Sequence, residues 1–192
     1  RTVEAVTVDG QDTWRIVEQV NTPMGSQVDT LEANRQSLLP VRRVASGAGT
    51  VQLHYTDEAI TGEMNAMGQN IPVNVSLEAP IFGGGSGVEM AIAGLPLTEG
   101  YSTTFRTFNI MTQKVRPFSL TATGTETVEC AAGTFDTFVI ELKPLDDDEA
   151  GTATMHVLQE APHIVVRSTT RLPAMMGGGT STTELASMKG SS

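Results

Sequence analysis

The amino-acid sequence predicts an all-β protein, built on a single strongly curved antiparallel sheet that forms an open or half barrel of about 14 strands, with one short helix. The 192 residues include 26 Thr, 18 Val and 8 Ile, whose branched side chains favour extended backbone over helix. Turn residues are frequent, with 19 Gly and 9 Pro. No linker separates regions of different composition, so residues 1–192 are expected to form one domain.

The first seven strands are predicted to form a meander of antiparallel hairpins. Apolar and polar residues alternate over residues 2–8, which lead into Asp9-Gly10, a strong hairpin signal, and the chain returns over residues 13–20. Five more strands follow, each bounded by turn residues. They cover residues 27–31, 41–45, 50–56, 59–67 and 71–77.

One short helix is expected from about Gly87 to Ala93. Ser86 and Glu89 have the spacing of a capping box, in which each side chain accepts a hydrogen bond from a free backbone amide at the start of the helix. Pro96 then prevents the helix from continuing.

Strands resume after the helix and fill the rest of the chain. An acidic run, Asp146–Glu149, and a Gly/Met loop at 174–179 are expected to lie in exposed turns between them. These strands cover residues 101–111, 115–122, 125–130, 135–142, 152–158, 164–171 and 180–186.

The charge of the chain excludes one large class of partner. Twelve Lys and Arg stand against 22 Asp and Glu, and a net charge of −10 repels the phosphate backbone of nucleic acid. The longest apolar run, Val88–Leu97, is interrupted by Glu89 and Pro96 and is shorter than the roughly 20 residues that cross a bilayer. Nucleic-acid binding and membrane spanning by this chain are therefore not expected.

The single cysteine, Cys130, leaves no internal disulfide, so cysteine usage does not identify a compartment. Numbering from Arg1 indicates a processed or excised form. Whether a signal peptide, a lipid anchor or a further domain precedes Arg1 is left open.

Motifs for catalysis and metal binding are weak. The glycine run around Ser86 differs from a G-x-S-x-G nucleophile turn, because the residue two places after the serine is Val88. His54, His156 and His163 lack the short spacing of a metal site. We therefore predict no catalytic residue, no metal and no cofactor.

Core packing is the default explanation of the nine methionines, but such side chains also occur on surfaces that adapt to an apolar ligand. We expect Phe82, Met90, Ile92 and Leu95, together with other methionines, to line a groove between the helix and the concave face of the sheet.

Four short motifs resemble a bacterial envelope family, domain of unknown function 3108. They lie at 95–101 (LPLxxGY), 124–128 (GxExV), 132–138 (AGxFDTF) and 162–167 (PxxVVR). The likeness is clear over residues 95–172 and present only in outline in the first half. The resemblance implies an exported protein of the periplasm or cell envelope, with a half-barrel sheet somewhat similar to that of lipoprotein carriers, and it supplies no catalytic residues.

Three functions remain open at this point. The first is a non-enzymatic envelope protein that binds a lipid or acyl chain in the concave face of the sheet. The second is a structural or interaction subunit that docks to a protein partner in an envelope assembly, through a sheet edge or the Gly/Met loop at 174–179. The third is a hydrolase with a site assembled from distant residues. An apolar cavity, an unprotected strand edge and a convergence of His with carboxylates would favour them respectively.

Overall fold

A computed structural model describes residues 1–22, 25–66, 68–146, 151–172 and 178–188. Within these ranges the chain forms thirteen strands and one short helix, which confirms the predicted all-β class. The strands form two antiparallel sheets rather than the single sheet that the sequence predicts.

The first sheet contains seven strands, each paired antiparallel with the next in chain order. This is the predicted meander. Its strands are β1 (Thr2–Val8), β2 (Gln11–Thr22), β3 (Gly25–Asn34), β4 (Pro40–Ser46), β5 (Gly49–Tyr55), β6 (Ala59–Ala66) and β7 (Gln69–Ser76).

The second sheet contains six strands in the order β13-β12-β11-β10-β9-β8. The helix α1 (Ser86–Ala93) precedes them, and no helix in the described part of the chain is long and apolar enough to cross a membrane. The strands are β8 (Ser102–Asn109), β9 (Lys114–Cys130), β10 (Gly133–Pro144), β11 (Ala153–Leu158), β12 (Val165–Arg171) and β13 (Thr180–Glu184).

The Asp9-Gly10 hairpin forms as predicted. Both residues have positive φ, 49° and 78°, as a tight two-residue turn between twisted strands requires. Val8 pairs with Gln11 across this turn, and the ladder continues to Thr2 opposite Val17.

Thirteen strands among the described residues agree with the predicted count of about 14, and the difference of one arises because β9 does not stop near Gly124. Val139 pairs with Gly124 and Ile140 with Ala122, so Thr123 is an extra residue in the ladder. Such a bulge absorbs one residue without ending the strand. The glycine therefore lies inside a 17-residue strand rather than in a turn.

The first sheet ends at β7, and Pro72 gives a physical reason. Proline has no amide hydrogen to donate and is confined to edge strands or bulges. The Pro72 carbonyl also accepts a hydrogen bond from Gln113 Nε2 at 3.1 Å. The next strand, β8, pairs with β9 and belongs to the second sheet.

The predicted helix is confirmed, but its capping box is not formed. The Glu89 carboxylate forms an ion pair with Arg1, which also contacts Glu18 at 2.8 Å. Burial of the Arg1 guanidinium lowers its pKa, but the two carboxylates outweigh burial and raise the pKa above its ordinary value. Glu89 therefore neutralises Arg1 instead of binding a backbone amide.

The chain divides into two compact units. The first comprises residues 1–90 and 107–115, and the second comprises 91–106 and 116–192. A buried cluster in the first unit consists of Leu53, Tyr55, Ile60, Val73, Ile81 and Phe108. Fully or almost fully buried residues of the second unit include Leu120, Ala122, Val128, Ile140, Leu142, Val157 and Val166.

Trp14 is the single tryptophan of the chain and lies in the first unit. It pairs with Ala5 of β1 and with Ala33 of β3. The guanidinium carbon of Arg35 lies 4.8 Å from the centroid of its ring, within the range of a cation–π interaction.

Candidate functional site

A cleft of about 280 Å³ lies in the first unit, next to the buried cluster. Two of its lining residues, Val51 and Ile110, also pack against that cluster. We call it the methionine cleft. It is lined by Gln27, Val28, Asp29, Arg43, Ala45, Ser46, Gly47, Gly49, Thr50, Val51, Met64, Asn65, Ala66, Ile110 and Met111.

Two methionines from different elements line the cleft. Met64 lies on β6 directly across from Val51 of β5, and it is mostly buried. Met111 follows β8 in a turn held by Asn109, whose Oδ1 accepts hydrogen bonds from the amides of Met111 at 3.0 Å and Thr112 at 3.1 Å. This turn leaves Met111 69% exposed. Met64 is therefore held within the sheet, whereas Met111 is open to solvent.

Gly49 is required where the cleft meets the edge of the β5–β6 ladder. A Cβ atom at this position would lie 2.3 Å from the backbone oxygen of Asn65, closer than real Cβ contacts. Any larger residue would have to push β5 and β6 apart, so this glycine sets the shape of the wall.

An ion pair between Arg43 and Asp29 lines the cleft, and we call this part of the lining the floor. Arg43 Nε donates to Asp29 Oδ1 at 3.0 Å, and Arg43 Nη2 donates to Asp29 Oδ2 at 2.6 Å, a two-point contact between guanidinium and carboxylate. Burial lowers the pKa of Arg43, but Asp29 more than compensates and raises it above the ordinary value. The floor is therefore polar but nearly neutral overall.

Tyr55 connects this floor to the buried cluster. Its side chain is almost fully buried and interacts with Arg43. Burial raises the pKa of the Tyr55 hydroxyl to about 12, although the positive charge of Arg43 acts in the opposite direction. The hydroxyl is therefore neutral over the whole physiological range.

A second cavity of the first unit is larger, about 450 Å³, but more polar. Asn34 lies in its wall, and its Oδ1 accepts hydrogen bonds from the amides of Gln36 and Ser37. We favour the methionine cleft as the candidate site because apolar side chains form more of its wall. The larger cavity is lined by Gln11, Asn34, Ser37, Leu39, Pro40, Val41, Tyr55, Thr56, Asp57, Pro80 and Ile81.

The four groove residues predicted from the sequence do not line either cavity. Phe82 makes a bridge to Thr107, and Met90 is half-buried in α1; both belong to the first unit. Ile92 is fully buried and Leu95 half-buried, and both belong to the second unit. The proposed groove therefore stays a prediction.

Each of the three histidines has different surroundings. His54 is exposed on β5, His156 Nε2 lies 3.1 Å from Glu126 Oε2, and His163 Nδ1 lies 2.9 Å from the Leu158 carbonyl oxygen. In the described part of the chain, no group of three or more His, Cys, Asp and Glu side chains is placed to hold a metal ion.

Two predicted loops fall partly or wholly outside the described residues. Asp146 is described and forms an ion pair with Arg116 at 2.6 Å, but the rest of the acidic run is not described. Most of the Gly/Met loop at 174–179 also lies outside the described ranges.

The sequence indicated only some of the residues that line the cleft. Met64 and Met111 are among the nine methionines that the sequence offers as adaptable apolar side chains. Asp29 and Arg43 were not predicted as site residues. A signal existed, because Asp29 and Arg43 both occupy strand positions that alternation assigns to the apolar face. Ile110 and Met111 carried no such signal, since they approach from a turn distant in sequence.

No curated protein and no solved structure matches the chain. A family model does match, and it extends over residues 1–167, so it includes the first half, where the motifs alone gave only an outline. The match covers well over half of the 192 residues. The chain therefore belongs to the family of proteins of unknown function designated DUF3108.

Proposed function

We propose that the protein is a non-enzymatic, exported protein of the bacterial envelope that binds an apolar ligand, such as a lipid or acyl chain, in the methionine cleft. The observation that carries this proposal is the combination of a mostly apolar cleft with a solvent-exposed methionine at its rim. The envelope location is supported by the resemblance of the motifs at 95–167 to a bacterial envelope family.

The dimensions of the cleft favour a short or partly inserted chain. If a methylene takes about the 30 Å³ of a water molecule, the volume of about 280 Å³ holds about nine such groups. Each buried methylene contributes about 0.8 kcal/mol of transfer free energy. Apolar burial therefore supplies most of the affinity, and the remaining length of a longer chain lies outside the cleft.

The ion pair on the floor limits the role of a headgroup. Because Asp29 neutralises Arg43, an anionic group gains little there unless it displaces the Asp29 carboxylate. Met64 and Met111 provide unbranched, polarizable side chains that pack against chains of different shape. We expect a site selective for apolar length rather than for headgroup charge.

Native mass spectrometry of protein purified from its own source tests the proposal directly. We expect a co-purifying apolar molecule of lipid mass that is released under denaturing conditions. Adding a fatty acyl ester and following its mass over time separates binding from hydrolysis. Steady conversion to acid and alcohol by the purified protein would overturn the non-enzymatic assignment.

A binding titration with a dansyl-labelled fatty acid locates the site. Met111→Ser removes apolar surface from the rim, and we expect about tenfold weaker binding, equivalent to about 1.4 kcal/mol. Met188→Ser is the matched control, because Met188 is similarly exposed but does not line the cleft. Equal affinity of the two variants would place the ligand elsewhere.

A second candidate function is that of an interaction subunit, and one observation favours it. The outer strand β1 has most of its residues exposed, and Val3 on it is 52% exposed. An uncovered edge of this kind is a template for pairing with another strand.

A further inference from the structure

We propose that β1 pairs edge to edge with β1 of a second copy of this chain, in an antiparallel register centred on Ala5, so that the first sheets of two molecules form a continuous sheet. This inference is independent of ligand binding in the methionine cleft. It rests on the state of the strand edges, on the direction of the backbone groups and on the charges along β1.

The free edges of the two sheets differ in how they are protected. On β7, Pro72 has no amide hydrogen, and its carbonyl already accepts a hydrogen bond from Gln113. On β8, Thr107 is bridged by Phe82. β13 is only five residues long. In the described part of the chain, β1 pairs with β2 alone and has no proline.

The hairpin geometry determines which backbone groups of β1 are free. Val8 and Gln11 flank a two-residue turn and are therefore a hydrogen-bonded pair, and such pairs alternate along the ladder. The Thr13 hydroxyl donates to the Val6 carbonyl at 3.3 Å, which agrees with Val6 facing β2. The amides and carbonyls that face away from β2 are those of Val3, Ala5 and Thr7.

In one antiparallel register, the outward backbone groups of these three residues can pair with the same groups of a second copy. When Ala5 faces Ala5 of the second copy, Val3 faces Thr7, and the two strands overlap over their full length. The three pairs that result can make up to about six backbone hydrogen bonds. Val3, with its exposed side chain, then gains a β-branched cross-strand neighbour.

Charge disfavours one of the two neighbouring registers that keep the same backbone groups facing each other, and a shorter overlap disfavours the other. Moving the centre to Glu4 would put two Glu4 carboxylates opposite each other, in a chain that already has a net charge of −10. Moving the centre of the register to Val6 shortens the stretch over which the two β1 strands pair. In the register centred on Ala5, Glu4 faces Val6, so no two acidic side chains lie opposite each other.

Sedimentation velocity of the whole chain, from low-micromolar to sub-millimolar concentration, measures the association. We expect a reversible monomer–dimer equilibrium. Hydrogen exchange should slow with concentration at Val3, Ala5 and Thr7, which face the free edge. A chain that stays monomeric over the whole range would overturn the proposal and would favour a strand from a different protein as the occupant of this edge.

A matched pair of variants tests the register. Val6→Glu places an acid opposite Glu4 of the second copy, and Val6→Lys places a base there, while both remove the same valine. We expect the dimer of the Lys variant to be at least about tenfold tighter than that of the Glu variant, with a difference that shrinks in high salt. Equal affinities would overturn the register.

Ala5→Pro tests the edge itself, because it removes an outward amide from both copies and leaves the ladder with β2 bonded. We expect at least about tenfold weaker dimerisation. Circular dichroism and the thermal midpoint establish that the variant is folded. A folded Ala5→Pro variant that dimerises as tightly as the original chain would show that β1 is not the interface.

Discussion

Two neighbouring regions of the first sheet use the same strands but pack differently. In the closed region, Leu53, Ile60 and Val73 are covered by Ile81 and Phe108 and are almost inaccessible to solvent. In the open region, further along β5 and β6, Val51 and Met64 line the methionine cleft. Alternation along a strand therefore selects a face, and the segments that cover that face decide whether it becomes core or cleft.

The two regions also share residues at their boundary. Val51 and Ile110 pack against the buried cluster and line the cleft as well. Tyr55 belongs to the cluster and interacts with Arg43 on the cleft floor. The closed region therefore packs directly against residues that line the open region.

Ile60→Ala should produce the largest effect on stability. Ile60 has 0% exposure, so its truncation leaves a cavity in close-packed surroundings, at a cost of about 2–5 kcal/mol. Urea denaturation followed by far-UV circular dichroism measures the loss. A loss below about 1 kcal/mol would mean that the closed region is looser than the structure indicates.

Alkaline pH should destabilise the protein through Tyr55. Its pKa is raised to about 12 in the folded state, from an ordinary value near 10. Between these values the unfolded chain loses the proton while the folded chain keeps it, so stability falls as pH rises. Two pH units correspond to on the order of 2–3 kcal/mol.

Tyr55→Phe is the control for this pH dependence. Its free energy of unfolding should lack the contribution of Tyr55 between about pH 10 and 12, although other groups still titrate. Identical profiles for the two proteins would show that the Tyr55 hydroxyl is not shielded from water.

Gly49→Ala should change the shape of the open region and cause a moderate loss of folding stability. The new Cβ would meet the Asn65 backbone oxygen, and overpacking of this kind costs about 1–3 kcal/mol. We expect weaker acyl-probe binding in the same variant. Gly124→Ala is the matched control, because its Cβ would meet no atom within 4 Å.

Met111→Ala should produce the smallest change in stability. Because Met111 is already mostly exposed, its truncation should alter the free energy of unfolding by no more than about 0.5 kcal/mol. The same urea experiment measures it beside Ile60→Ala. Comparable losses in the two variants would erase the distinction between the open and closed regions.

Much of the fold follows from local sequence signals. The β-branched residues gave the all-β class, and Asp9-Gly10 gave the first hairpin and its register. The division into two sheets was missed, although Pro72 marks the outer strand where the first sheet ends. The sequence predicts a break between residues 122 and 125, where the structure instead has a bulge at Thr123 inside β9.

The candidate site was less predictable because it depends on contacts between distant segments. Met64 and Val51 could be assigned to one face by alternation, but Ile110 and Met111 reach that face from a turn more than 40 residues later. Hairpin pairing is determined locally, whereas the covering of a sheet face depends on the path of the whole chain. Binding by Phe82, Met90, Ile92 and Leu95 stays a prediction.

Trp14 gives the first compact unit a tryptophan fluorescence signal that the second unit lacks. Because it is the single tryptophan and lies in the first unit, indole emission reports on residues near β1 to β3, whereas far-UV circular dichroism reports on both sheets. Coincident transitions of the two signals in urea would indicate concerted unfolding, and separated transitions would indicate that the units melt independently. The arrangement thus provides an intrinsic, label-free measure of cooperativity between them.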